Sequence, residues 1–213
     1  MKSGWELYVV TDRALSGGRP LVEVIRRTLA GGAKIVQLRE KNLSTREMLQ
    51  LAAALKELTR EYGARFIVND RLDVALAVDA DGVHLGQEDM PARIARRLLG
   101  PEKVLGVSVS SVEEALRAVE DGADYLGAGA VFPTATKEEA RAIGLEGLRA
   151  IASAVGIPVV AIGGIDRTRV AEVIAAGADG VAVVSAVMAA ADPCEAARKI
   201  LAAVEKARED KAK

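Results

Sequence analysis

Aromatic residues are scarce in this chain: one Trp, three Tyr and two Phe among 213 residues. Half of the residues are hydrophobic, so the core has to be built from Ala, Val, Leu and Ile. Buried parallel strands alternating with helices require that composition. Cysteine is scarcer still. Cys194 is the only one, which excludes an intrachain disulfide and a cysteine metal cluster and fits a reducing cytoplasm. An excess of one charge is also lacking: the net charge is -1 and the pI about 6.0. There is no polycationic field for nucleic acid and no basic face for anionic lipid. The longest apolar run, Val181 to Ala191, is broken by Ser185 and falls short of the roughly 20 residues a membrane span needs. The start, Met1-Lys2-Ser3-Gly4-Trp5, leads straight into Leu7-Tyr8-Val9-Val10 with no signal peptide. A soluble, cytoplasmic protein is expected.

What the chain does contain is a rhythm. Short aliphatic runs at Leu7–Val10, Ile35–Leu38, Phe66–Val68, Gly82–Leu85, Val104–Val107, Tyr125–Ala128, Val159–Ile162 and Val181–Val184 read as eight strands. Between them, helical spacing covers Leu21–Ala30, Ser44–Tyr62, Ala92–Leu99, Val112–Val119, Leu145–Val155, Thr168–Ala176 and Pro193–Lys206, with Arg71–Ala77 as the short remaining helix. Caps support these bounds: Ser44 precedes Glu47 and Ser111 precedes Glu114 in the capping-box pattern, and Asp192-Pro193 puts an acceptor before a proline at the first helical position. A weak repeat, Gly31-Gly32-Ala33, Asp81-Gly82, Asp121-Gly122-Ala123-Asp124 and Gly177-Ala178-Asp179-Gly180, ends a helix or loop and opens a strand each time.

Eight βα units without a linker predict fold class α/β, a single (β/α)8 TIM barrel over residues 1–213, with a frayed tail after about residue 207. A doubly wound sheet would have a glycine fingerprint after its first strand, where this chain has Thr11-Asp12-Arg13.

Chemistry in such a barrel gathers at the C-terminal ends of its strands, and here those ends are polar. Strand two runs into Gln37-Leu38-Arg39-Glu40-Lys41, where alternation puts Gln37, Arg39 and Lys41 on one face. A planar fork of donors beside a compact cation suits a multiply charged anion, although ordinary solvated charges would read the same way. Strand three ends in Asn69-Asp70, strand four in His84 followed by Gln87-Glu88-Asp89, and strand five in Ser108. Asp70 and Asp89 are candidates for a hard divalent ion that keeps water and phosphate oxygens as its other ligands, or are plain capping carboxylates. With Arg39, Lys41 and Lys137 nearby, a Mg2+ there would suit a diphosphate. Gly163-Gly164 after strand seven and Val184-Ser185 after strand eight fit a phosphate site, or for the glycines a simple turn. His84, the only histidine, is a core or supporting residue or a direct participant. Cys194 reads as structural.

Taken in order, Gln37-Leu38-Arg39-Glu40-Lys41, Asn69-Asp70, Asp81-Gly82-Val83-His84-Leu85-Gly86-Gln87 with Asp89, Val131-Phe132-Pro133-Thr134-Ala135-Thr136-Lys137, Ala161-Ile162-Gly163-Gly164-Ile165 and Gly180 to Ser185 resemble the motif set of the thiamine-phosphate synthase family. The resemblance implies a transferase that joins a 4-amino-2-methylpyrimidinylmethyl group, carried as its diphosphate, to a thiazole phosphate. It implies that Gln37, Leu38, Arg39, Glu40, Lys41, Asn69, Ser108 and Lys137 bind the pyrimidine diphosphate, with Arg39, Lys41 and Lys137 catalytic. Asp70 and Asp89 would hold Mg2+, and Thr134, Ala135, Thr136, Gly164, Val184 and Ser185 would bind the thiazole phosphate. The partners it implies are these small molecules, with no nucleic acid and no membrane; a homo-oligomer is compatible with the sequence.

The family's mechanism is dissociative: diphosphate leaves, and the thiazole nitrogen captures a carbocation. No Cys/His or Ser/His dyad is then needed. The alternative is a thiazole tautomerase-like isomerase of the same barrel family, which would need an acid/base histidine near Ser108-Val109-Ser110-Ser111. Ser110 stands where many synthases resemble one another in carrying histidine. A non-catalytic phosphate-binding protein would not require the Asp70 and Asp89 pair. The segment Ala130 to Ile143 is the expected lid over the mouth.

Overall fold

A computed structural model describes residues 4–134 and 142–211. Eight parallel strands close into a barrel in sequence order, each pairing with the next and β8 with β1. They are β1 (Leu7–Val10), β2 (Ile35–Leu38), β3 (Arg65–Asn69), β4 (Gly82–Leu85), β5 (Val104–Val109), β6 (Tyr125–Gly129), β7 (Val159–Ile162) and β8 (Gly180–Val183). The helices outside it are α1 (Leu21–Ala30), α2 (Thr45–Glu61), α3 (Leu72–Ala77), α4 (Ala92–Leu99), α5 (Val112–Glu120), α6 (Gly144–Ala154), α7 (Val170–Ala175), α8 (Ser185–Met188) and α9 (Pro193–Lys211). This is the (β/α)8 barrel expected from the chain's rhythm.

Strand alternation divides the apolar residues into two cores. Leu7, Val9, Val36, Leu38, Phe66 and Val68 face outward into a shell shared with the helices. Tyr8, Val10, Ile35, Ile67, Tyr125, Val160 and Ala182 face inward and, with Trp5, fill the barrel. Half of the few aromatic residues are thus spent on the interior.

The caps form as the sequence implies. Ser44 and Glu47 make a reciprocal capping box, and Asp192 accepts from the N-H groups of Cys194 and Glu195. Ser111 caps α5 through Glu114 N-H, while the Glu114 carboxylate turns to Ser110 instead. The Asp-Gly repeat has a physical function at the barrel's lower rim. Asp81, Asp124 and Asp179, each just before an even-numbered strand, accept from the N-H of Phe66, Leu105 and Val159 on the preceding strand.

Three expectations are corrected. The last helix runs past its expected end at Lys206: α9 continues to Lys211, where Arg208 pairs with Glu6 and the Asp179 carbonyl, and Lys211 donates to the Ile174 carbonyl. Between β8 and α9, Ser185–Met188 forms the short α8, which the helical spacing of the sequence does not include. Strand β2 ends at Leu38, so Arg39 and Lys41 lie beyond the strand whose face they were expected to share.

Candidate active site

The chain end of β2 is clamped by the turn after β1: Thr11 N-H donates to the Gln37 carbonyl and Arg39 N-H to Thr11 Oγ1, both at 2.9 Å. Gln37 is buried inside the barrel, Leu38 packs outward, Arg39 is half-buried and Lys41 exposed. Arg39 and Lys41 nevertheless act on one point, because both draw down the carboxyl of Asp70 at the end of neighbouring β3. Glu40 is different in kind. Its side chain is nearly buried beside Arg13 at 3.7 Å, its Oε1 has no partner among the described residues, and burial pushes its carboxyl up.

Asp70 follows β3 in a left-handed conformation, φ 61°, which is costly for a residue with a side chain and persists where the surroundings enforce it. Its N-H is held by the His84 carbonyl at 2.9 Å. Burial, a hydrogen bond shared with Asp89 and the Asp89 charge push the Asp70 carboxyl up to about 6. Asp89 is itself pinned by Gly86 N-H at 2.6 Å. Two carboxyls held together at the ends of adjacent strands make a hard oxygen donor set that fits Mg2+. No third His, Cys, Asp or Glu joins them among the described residues, so the other ligands would be water and substrate oxygens.

This geometry predicts a trade between function and stability. A carboxyl raised in the folded state stabilises the protein below its unfolded pKa, near 3.8, and that contribution is lost as pH rises through about 6. In chelator, Asp70→Asn should therefore be more stable than wild type at pH 7.5, with the gap closing toward pH 4. The full shift would exceed this, but the half-exposed site is screened, leaving on the order of 1 kcal/mol. Thermal melts at the two pH values check it; an unchanged gap across the range would overturn it.

The other side of the mouth is built from β6, β7 and β8. Val131 N-H donates to the Ile162 carbonyl and Phe132 N-H to the Gly163 carbonyl, at 2.8 and 3.1 Å. The loop after β6 therefore lies along the end of β7. Its return is tied by Ile143 N-H to the Ala130 carbonyl and Gly144 N-H to the Val131 carbonyl. Gly163 and Gly164 both have positive φ, and Arg169 donates to the Gly164 carbonyl while its guanidinium covers the Phe132 ring at 4.6 Å. Val184 precedes the exposed Ser185, which opens α8. Thr134 is half-buried at the loop's start. Ala135, Thr136 and Lys137, and with them half of the expected lid, lie outside the described residues.

Asn69 ends β3 opposite His84. Ser108 on β5 is half-buried, with its Oγ 2.8 Å from His84 Nε2 and its carbonyl accepting from Gln87 Nε2 at 2.7 Å. His84 is buried between Ser108 and Tyr125, a supporting position. Thr11, Arg169, Tyr8 and Tyr125 are missed at this site by sequence reasoning; for the tyrosines, the one available signal is an inward strand position. The isomerase reading finds no support. Ser110 is committed to Glu114, and the sole histidine sits deep in the barrel, where β5 gives it only a serine.

Comparison with known proteins agrees with the geometry. Residues 7–187 match the family model described as thiamine monophosphate synthase. The chain is 60% identical over 205 residues to the thiamine-phosphate synthase of Moorella thermoacetica, covering 96% of this chain and 98% of that protein. It is 59% identical over 206 residues to that of Chloroflexus aurantiacus, covering 96% and 95%. The solved structure of thiamine phosphate pyrophosphorylase from Pyrococcus furiosus superposes with a TM-score of 0.89 at 54% identity, covering 96% of this chain and 97% of that one. No described helix is long and apolar enough to cross a membrane.

Proposed function

The chain belongs to the thiamine monophosphate synthase family, and from that premise we propose how its barrel mouth carries out the synthase reaction. As a transferase of thiamine biosynthesis, it joins a pyrimidinylmethyl group to a thiazole phosphate and releases diphosphate. In the division we propose, Gln37 to Lys41, Asn69, Ser108 and Lys137 take the pyrimidine diphosphate. Asp70 and Asp89 take Mg2+. Thr134, Ala135, Thr136, Gly164, Val184 and Ser185 take the thiazole phosphate.

The observation that carries this division is the Asp70 and Asp89 pair held under the charges of Arg39 and Lys41. Two carboxylates alone would repel a diphosphate, and two cations alone would not need the carboxylates. Together they suit a diphosphate that arrives with a divalent cation. The carbon-oxygen bond breaks with its electron pair leaving on the diphosphate, and the thiazole nitrogen then forms the new carbon-nitrogen bond. Mg2+, when bound, supplies charge neutralisation to the leaving group. Arg39 adds a planar donor fork and Lys41 a point charge at the same anion. The clamp of Thr11 on Arg39 fixes where that fork begins. No nucleophile from the protein is required, only positioning and stabilisation of developing charge. With one unpaired thiol, Cys194, and two phosphorylated small molecules as partners, we assign the protein to the cytoplasm.

The test is product stoichiometry. Purified protein given the pyrimidine diphosphate, the thiazole phosphate and Mg2+ should form thiamine phosphate and diphosphate in equal amounts, and chelation should stop both. Product formation unchanged in chelator would remove the Mg2+ assignment. Binding of the thiazole phosphate without any product would remove the synthase reading.

A further inference from the structure

Five side chains from five strands form one hydrogen-bonded line across the barrel. Gln37 Nε2 on β2 donates to Tyr8 Oη on β1 at 2.7 Å, and Tyr8 Oη lies 2.7 Å from Tyr125 Oη on β6. Tyr125 Oη lies 2.8 Å from His84 Nδ1 on β4, and His84 Nε2 lies 2.8 Å from Ser108 Oγ on β5. Both phenols are fully buried, and Gln37 and His84 nearly so. Room is kept for the rings: a Cβ on Gly106 would stand 2.2 Å from the Tyr125 ring, and one on Gly127 2.9 Å from the His84 ring. Apart from Trp5, the rest of the interior core is aliphatic side chains, which bury at no polar cost. A polar line in their midst needs a reason.

Counting protons supplies one. Burial keeps both phenols in their protonated forms, so each tyrosine has one proton to give. Tyr8 accepts from Gln37 and so gives its proton to Tyr125. Tyr125 then gives its own to His84 Nδ1. An imidazole accepting at Nδ1 carries its proton on Nε2 and donates to Ser108. The hydroxyl proton of Ser108 is left for a ligand, and at the other end Gln37, with one N-H given to Tyr8 and the other directed at the Tyr125 phenol, keeps its carbonyl oxygen as an acceptor. Reversing the line would require the Gln37 amide, two phenols, the imidazole tautomer and the serine hydroxyl to change together.

We propose that Tyr8, Tyr125 and His84 are positioning residues that fix opposite hydrogen-bonding characters on Gln37 and Ser108. The pyrimidine site then reads an amidine edge, in which an amino group donates and the neighbouring ring nitrogen accepts. The 4-oxo counterpart, whose ring N-H donates and whose oxygen accepts, meets the wrong character at both ends. This inference rests on the assignment of Gln37 and Ser108 to the pyrimidine diphosphate.

Because His84 is the only histidine, nitrogen NMR of the histidine-labelled protein gives one pair of ring signals. With 4-amino-2-methylpyrimidinylmethyl monophosphate bound, Nδ1 should be the bare nitrogen and Nε2 the protonated one; a proton on Nδ1 overturns the proposal. Tyr8→Phe and Tyr125→Phe each remove one link while keeping the ring. Each should lower the preference for the 4-amino over the 4-oxo diphosphate, as a ratio of kcat/KM, by about tenfold, the equivalent of one hydrogen bond. KM for the thiazole phosphate should stay within about twofold, a selectivity that general loosening of the barrel would not produce. An unchanged preference in a folded variant overturns the proposal. Ser108→Ala separates the two layers of argument. If it leaves the KM for the pyrimidine diphosphate unaltered, the site assignment and the inference fall together. If it raises that KM while the tyrosine variants keep their preference, the inference alone falls.

Discussion

Asp89→Ala is expected to lower kcat/KM for the pyrimidine diphosphate by about 10²- to 10³-fold in the presence of Mg2+, the loss of an electrostatic stabiliser worth roughly 3 to 4 kcal/mol. Asp70→Ala should lose a similar amount, and the double variant little more than either, because the two carboxyls act as one donor set. The structure explains why neither can serve alone. Asp70 is held in a left-handed conformation by the His84 carbonyl, and Asp89 is held by Gly86 N-H, so their carboxyls are brought together by backbone constraints. Burial, with the hydrogen bond and charge of Asp89, raises Asp70 to about 6 even with Arg39 and Lys41 close enough to pull it down. An arrangement that costs stability without its cation marks a site kept for function. Steady-state kinetics across a Mg2+ titration distinguish the outcomes. Variants rescued by high Mg2+ would have lost affinity for the cation. Variants with wild-type kcat/KM at every concentration would show that the pair does not serve the diphosphate.

Local signals carried most of the barrel. Leu21–Ala30 and Ala92–Leu99 form helices over the residues that their periodicity implies, and each strand begins within a residue of its aliphatic run. Caps and strand-opening residues act on neighbours a few positions away, so a window of sequence contains the whole interaction. The failures involve partners remote in sequence. Arg208 and Lys211 extend α9 by reaching Glu6, Asp179 and Ile174, and nothing near residue 207 announces that. The turn of Ser185–Met188 into α8 was hidden because Ala, Val and Met suit a helix as well as a strand.

The same division runs through the site. Gln37, Arg39, Asp70, Asp89 and Ser108 were legible as polar ends of strands, because a barrel brings all such ends to one face. Their contacts were not. Alternation places Tyr8 and Tyr125 inside the barrel, but β1 and β6 are not adjacent in the sheet. Only the closed interior lets two phenols on those strands meet. Expecting Gln37, Arg39 and Lys41 on one strand face rests on an incomplete reason. The strand stops at Leu38, and it is Thr11 that fixes the path of the two residues after it.

Gly164→Ala should raise KM for the thiazole phosphate by about 10²-fold, combining a left-handed backbone penalty of roughly 1 to 3 kcal/mol with displacement of the loop it touches. At Gly164, φ is 65°, and a Cβ would stand 2.8 Å from both Phe132 Cβ and the Pro133 carbonyl oxygen, and 3.2 Å from Arg169 Nη1. Two of those contacts are backbone or the root of a side chain, so a rotamer change cannot relieve them. Relief has to come from moving the segment after β6 away from the end of β7, against the hydrogen bonds of Val131 and Phe132 to Ile162 and Gly163. Arg169 would move with it, since it both donates to the Gly164 carbonyl and covers the Phe132 ring. On β2 to β5 the pyrimidine side shares none of these contacts, and only Lys137 ties it to the loop after β6, so its KM should rise at least about tenfold less than that of the thiazole phosphate. Initial rates with each substrate varied in turn measure the two constants separately. An equal rise in both would mean that the barrel as a whole has yielded, and a rise in neither would take the phosphate of the thiazole away from the glycine turn.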